Sequence, residues 1–101
     1  MSKVIVIDID GTVTLSEVDG YRDMQKIVGG LIEDFMSPAY QLYGYANEDG
    51  LMLGLQENRA MVRQGKLIVG PVFFSRCDDE GETIDVTDED ILLIAQTYGI
   101  Q

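Results

Sequence analysis

The chain contains no histidine and no tryptophan, and Cys77 is the single cysteine among 101 residues. Without imidazole there is no Ser-His or Cys-His nucleophile pair, no imidazole metal ligand and no histidine pH switch. A lone cysteine excludes an internal disulfide and a thiolate zinc cluster. With no base to activate it, Cys77 reads as a buried or half-buried strand residue in preference to a reactive thiol. Positive charge is scarce too: 7 Lys and Arg against 18 Asp and Glu leave a formal charge of −11. Such a field repels nucleic acid and anionic membranes and favours basic partners. No apolar run has the length of a membrane span or of a signal-peptide core, so the expected location is the cytoplasm. The glycines match neither G-x-x-x-x-G-K-[ST] nor G-x-G-x-x-G. A calcium loop fails on spacing, because placing Gly50 or Gly81 sixth puts Tyr45 or Arg76 first. No metal and no cofactor is expected.

What is present suffices for one core: 46% of the residues are apolar, and residues 1–101 are expected to form one compact domain. The stretch that organises it runs from Lys3 to Val18. Its Asp8-Ile9-Asp10-Gly11-Thr12-Val13 resembles the first motif of the haloacid-dehalogenase phosphatases. That resemblance would make Asp8 the phosphoryl acceptor, Asp10 the acid/base and magnesium the cofactor. The competing reading is a β-hairpin whose loop is Ile9, Asp10 and Gly11, with Gly11 left-handed. It sets Asp8 opposite Thr12, Ile7 opposite Val13, Ile5 opposite Leu15 and Lys3 opposite Glu17. Ile5, Ile7, Val13 and Leu15 then share a core face, and the opposite face, with Val4, Val6 and Thr14, is expected to be wet. A second strand pattern starts where a phosphatase needs a mobile loop, and the chain is short for a parallel sheet with crossover helices. The hairpin is therefore favoured, and the phosphatase motif is taken as a chance match.

Downstream, Tyr21, Met24, Ile27 and Val28 recur at helical spacing after Asp19-Gly20, and Gly29-Gly30 ends that helix. Residues 31–36 read as a strand interrupted at Ser37-Pro38. Residues 40–46 read as the next strand, with Tyr43 and Tyr45 on one face and Tyr40 and Leu42 on the other. After the turn 47–50, Leu51-Met52-Leu53 is expected to begin the returning strand of a second hairpin. Asn58 caps a short helix over residues 59–64, closed by Gly65. It places Arg59 and Arg63 one turn apart, where they are either solvated or ligands for a phosphate or carboxylate. A strand over residues 72–77, an acidic turn 78–81 and a returning strand 82–86 follow. Thr87-Asp88-Glu89-Asp90 resembles a capping box, weakened by Asp in fourth place, and opens a last helix stopped by Gly99.

The succession Asp10-Gly11-Thr12-Val13, Val28-Gly29-Gly30-Leu31-Ile32-Glu33, Asn47-Glu48-Asp49-Gly50, Gly54 to Ala60, Ile68 to Val72, and Asp78-Asp79-Glu80-Gly81-Glu82 with Thr87 to Asp90 resembles the domain-of-unknown-function family 3846. The resemblance spans nearly the whole chain. It implies a protein of bacteriophages, plasmids or their hosts with no catalytic residues. The tyrosine-rich stretch 37–46 is longer and more aromatic here than that family's usual pattern.

The expected fold is α+β: a small domain of antiparallel β-hairpins packed with two or three short helices. The expected function is non-enzymatic binding. Eight acids lie between positions 78 and 90, with no Lys or Arg after Arg76. Asp78, Asp79, Glu80, Glu82, Asp85 and Asp88, with Tyr43 and Tyr45 as anchors, are the candidate contacts for a basic protein surface. The expected partner is a host nucleic-acid-handling protein, engaged without direct nucleic-acid or membrane contact, and a homo-oligomer stays open. The alternative is a small-molecule or nucleotide-signal binder using tyrosines together with Arg59 or Arg63. The bland reading of the acidic run is a solvated turn and helix start.

Overall fold

The computed structural model describes residues 1–35 and 37–99, which form six strands and three helices. The strands are β1 (Ser2–Ile7), β2 (Val13–Val18), β3 (Ile32–Phe35), β4 (Leu42–Asn47), β5 (Val72–Cys77) and β6 (Thr83–Ile84). The helices are α1 (Tyr21–Val28), α2 (Arg59–Arg63) and α3 (Asp88–Tyr98). Every strand pairing is antiparallel, in the order β2-β1-β5-β4-β3 with β6 joining β5. The fold is thus α+β, without the parallel sheet a haloacid dehalogenase requires. The expected strand over residues 31–36 has its last position, Met36, outside the described residues.

The first hairpin has the register its sequence dictates: Ile7 faces Val13, Ile5 faces Leu15 and Lys3 faces Glu17. Gly11 sits at φ 90°, where a side chain is disfavoured. The Asp8 amide donates to the Thr12 carbonyl at 3.0 Å, and the Gly11 amide to the Asp8 carbonyl at 2.9 Å.

One face of this hairpin is drier than expected. Val4, Val18, Val28 and Phe73 form a second buried cluster under α1, opposite the main cluster of Ile5, Ile7, Leu42, Met61, Phe74, Ile94 and Tyr98. On β2, an edge strand, Thr14 of that face is exposed, and so is Leu15, expected on the core face, because no helix among the described residues reaches over it. β1 and β5 are interior strands covered by helices on both faces, so apolar residues are buried at successive positions. Phe73 and Phe74, adjacent in sequence and both fully buried, anchor opposite layers. Each contributes roughly 1.5–3 kcal/mol by its burial.

Two further expectations are corrected. Leu51, Met52 and Leu53 lie in turns and form no strand. The Asn47 side chain accepts from the Asp49 amide at 2.8 Å, and the Leu53 amide donates to the Asp49 carbonyl at 2.9 Å, so the chain coils at once. β4 pairs instead with β3 and with the distant β5. Tyr40 precedes β4 and lies in a turn, so it has no strand face.

Helix ends follow local chemistry. Gly29 closes α1 in the left-handed region at φ 81°, and its amide donates to the Gln25 carbonyl. α3 opens on a complete capping box: the Thr87 hydroxyl accepts from the Asp90 amide at 3.1 Å, and the Asp90 carboxylate accepts from the Thr87 amide at 2.9 Å. Asp therefore fills the Glu/Gln position of the box here. Asn58 does more than cap α2. Fully buried, its oxygen accepts from Ala60 and Met61 amides while its NH2 donates to the carbonyls of Ile7 at 3.1 Å and Gly70 at 3.0 Å. One side chain thereby ties α2 to β1 and to the start of β5.

Candidate functional surfaces

Antiparallel pairing places the start of β1, the start of β4, the end of β5, β6 and the start of α3 at one end of the sheet. Three contacts hold that end together. The Lys3 amide donates to Asp85 Oδ1 at 2.7 Å, the Gln41 side-chain amide donates to Asp79 Oδ1 at 2.5 Å, and Arg76 donates two bonds to Asp90 at 2.7 and 2.5 Å.

The acidic run is consequently not a uniform polyanion. Asp78 Oδ1 accepts from the amides of Glu80 and Glu82, so Asp78 builds its own turn. Asp85 secures the entry to β1, and Asp90 is buried against Arg76. The Arg76 guanidinium holds the Asp90 carboxyl below the usual aspartate range, more than burial raises it. Asp79, Glu80, Glu82, Asp85, Asp88 and Glu89 stay exposed, Asp79 and Asp85 each with one oxygen already bonded. Asp88 and Glu89 also lie in the first turn of α3, where negative charge suits the helix dipole.

The aromatic residues beside this turn are redistributed. Tyr45 stacks on Phe73 with ring centroids 5.0 Å apart, and burial pushes its hydroxyl pKa up. Tyr43, 43% exposed, and Tyr40, 77% exposed, instead line an open groove of about 520 Å³ with Asp34, Ser37 and Gln41. The buried Ser37 hydroxyl has no hydrogen-bond partner among the described residues. Among the described residues, Gln41 is the non-glycine residue held at positive φ, 62°, a costly conformation that persists where its surroundings fix it. Here its carbonyl accepts from the Cys77 amide at 2.9 Å while its side chain holds Asp79. Sequence reasoning missed Gln41 and Tyr40. The signal for Tyr40 was Pro38, which ends one strand too close to Tyr40 for the next to have begun.

Arg59 and Arg63 occupy the opposite end. Both line a cleft of about 580 Å³ with Asp10, Gln56, Glu57 and Val62. No tyrosine lines it, so the expected combination of tyrosines with these arginines does not form. The Arg59 amide donates to the Ile9 carbonyl at 2.9 Å, and the Arg63 guanidinium to the Gly99 carbonyl at 3.1 Å. Asp10 and Glu57 line the cleft beside the two cations without forming an ion pair among the described residues. Asp8 Oδ1 accepts from the Ile9 amide and Asp10 Oδ1 from the Thr12 amide, each at 2.8 Å. The Thr12 backbone and hydroxyl hold the Asp10 carboxyl below the usual range, with Arg59 adding to this from farther off. A group that shuttles protons is placed the other way, nearer neutrality.

Cys77 is half-buried, and burial followed by the Asp78 charge pushes its thiol up, which lowers the thiolate fraction. Among the described residues, no three Asp, Glu, Cys or His side chains group as metal ligands, and no helix is long and apolar enough to cross a membrane.

The fold and its surfaces define an acidic α+β protein with helices on both faces of an antiparallel sheet and an exposed acidic turn tied by Gln41 to a tyrosine groove. The chain belongs to the family of the domain of unknown function DUF3846, whose sequence model matches residues 1–99. No curated protein and no solved structure matches it.

Proposed function

We propose that this protein acts by binding, without catalysis, and that it occupies and inhibits a basic nucleic-acid-handling protein of a bacterial host. It would do so as anti-restriction and anti-CRISPR inhibitors do, as a nucleic-acid mimic of phage or mobile-element type in the host cytoplasm. The observation that carries this reading is the contact between Gln41 and Asp79. It fixes the acidic turn beside the Tyr40–Tyr43 groove, so charge for long-range attraction and aromatic area for a slowly dissociating contact lie on one surface. Arg76, the cation closest to that turn in sequence, is neutralised by Asp90.

The test begins with a partner recovered from host lysate and continues with binding kinetics at several salt concentrations. Converting Asp79, Glu80 and Glu82 to their amides is expected to slow association, as added salt does. Tyr43→Ala and Tyr40→Ala are expected to speed dissociation and leave the salt dependence in place. Binding that ignores both salt and the amide changes would reduce the acidic turn to a solvated surface.

A second reading rests on the cleft of Arg59 and Arg63, which suits a small anionic or zwitterionic molecule such as a nucleotide signal. A thermal-shift panel of nucleotides and cyclic dinucleotides decides it: a rise abolished by Arg59→Ala supports it, and a flat response removes it.

A further inference from the structure

We propose that the outer edge of β3 accepts an extended segment of a partner protein as an added strand, its apolar side chains on the Leu51–Leu67 side and its basic ones toward Asp34. The edge shares Asp34 with the tyrosine groove, but its backbone donors and the Leu51–Leu67 groove have no part in the function proposed above, on which this inference does not rest.

Among the described residues the sheet ends at β3. The Glu48 amide donates to the Leu31 carbonyl at 2.8 Å. Bonded and non-bonded pairs alternate along an antiparallel ladder. With Ile32 opposite Asn47 and Asp34 opposite Tyr45, the backbone N–H and C=O groups of Ile32 and Asp34 point away from β4. Such edges are ordinarily blunted by shortness, charged side chains, proline, a bulge or a covering element. β3, Ile-Glu-Asp-Phe, has no proline or bulge, and all four residues pair one-to-one with β4; it is short and guarded by two acids, which oppose an acidic strand and favour a basic one.

Beside this edge lies apolar surface that the core does not use. Leu51, Met52, Leu53 and Leu67 are each 61 to 88% exposed. Leu51, Met52 and Leu67 line a groove of about 260 Å³ together with Glu33 and Phe35. Side chains alternate along a strand, so Glu33 and Phe35 share the groove side of the sheet while Ile32 and Asp34 lie on the other. An incoming strand with alternating apolar and basic residues would place the first kind over the groove and the second against Asp34. This is strand addition with side-chain selection.

Charge disfavours a second copy as the occupant. In any central register of two antiparallel β3 strands, Glu33 or Asp34 lies opposite an acid of the other copy, and like charges directly opposed are destabilising.

The test uses the full-length, isotope-labelled protein and two synthetic peptides of equal composition, one alternating lysine with valine and the other with all lysines before all valines. The alternating peptide is expected to slow hydrogen exchange of the Ile32 and Asp34 amides by about tenfold or more and to shift the Leu51, Met52 and Leu67 methyl resonances, whereas the block peptide does neither. Asp34→Pro removes an outward N–H without removing a bond to β4, and is expected to abolish the protection. If that variant does not fold, Glu33→Lys with Asp34→Lys is expected to weaken the alternating peptide by about tenfold or more. Equal protection by both peptides, protection of neither amide, or concentration-dependent dimerisation through β3 in sedimentation would overturn the proposal.

Discussion

Gly11, Asn58 and the Arg76–Asp90 pair show how single residues determine the chain's path. Gly11→Val puts a β-branched side chain at φ 90° and is expected to destabilise by about 1 kcal/mol or more in urea melts. Asp8→Asn keeps an acceptor for the Ile9 amide and should stay within about 0.5 kcal/mol. At Asn58, Ala leaves two buried carbonyls and the helix cap unpaired, a loss of about 2–4 kcal/mol. Asn58→Asp should be no better, although Asp caps surface helices as well as Asn does, because a carboxylate cannot donate to the Ile7 and Gly70 carbonyls. The Asp90 carboxyl is held low by Arg76. Its contribution is therefore fully present above the ordinary aspartate pKa of about 4 and is lost as pH falls through the lowered value. Arg76→Ala is expected to destabilise by about 3 kcal/mol at neutral pH and to flatten the acid limb of a stability-versus-pH profile.

At the level of elements, local signals decided what lay within one turn or one hairpin. The first hairpin was legible because Asp10-Gly11 fixes the loop and the alternation of Ile5, Ile7, Val13 and Leu15 fixes the register. The returning strand at Leu51 was misread because an apolar triplet after a turn looks alike whether it pairs or coils. The choice fell to β5, which reaches β4 from far along the chain. Gly44 records that assembly: a Cβ there would lie 2.6 Å from the Phe35 ring, which stands edge-on to Phe74. Gly44→Ala is expected to destabilise by about 1–3 kcal/mol. Phe35→Leu in the same chain should recover part of that loss, seen as a coupling in a double-mutant cycle.

For the molecule as a whole, the placement of charge matters more than its sum. Gln41→Gly should relieve the strained backbone and release Asp79. Thermal stability is then expected to hold while affinity for the basic partner falls, because the acidic turn loses its position beside Tyr40 and Tyr43. No phosphomonoester turnover is expected with magnesium present; turnover that disappears in Asp8→Asn would restore the phosphatase reading. Of the proposed contacts, the exposed acids were legible as composition. The separation of the Glu80 and Glu82 carboxylates, unbonded among the described residues, from those of Asp79, Asp85 and Asp90 was not, because the partners of those three, Gln41, Lys3 and Arg76, come from elsewhere in the chain.

The sequence by itself determined the α+β class, the first hairpin and its register, the caps at Asn58 and Thr87, the strongly negative field and the family. All of these depend on neighbouring residues, on sums over the chain, or on motif order. Only the tertiary structure decided that both faces of β1 are dry, which tyrosines remain outside, and which carboxylates are free. Each of those outcomes depends on an element arriving from elsewhere in the chain: α1 over Val4, Phe73 under Tyr45, and Arg76 beside Asp90. Hydrophobic periodicity shows that a residue will be covered, but it carries no information about which element covers it.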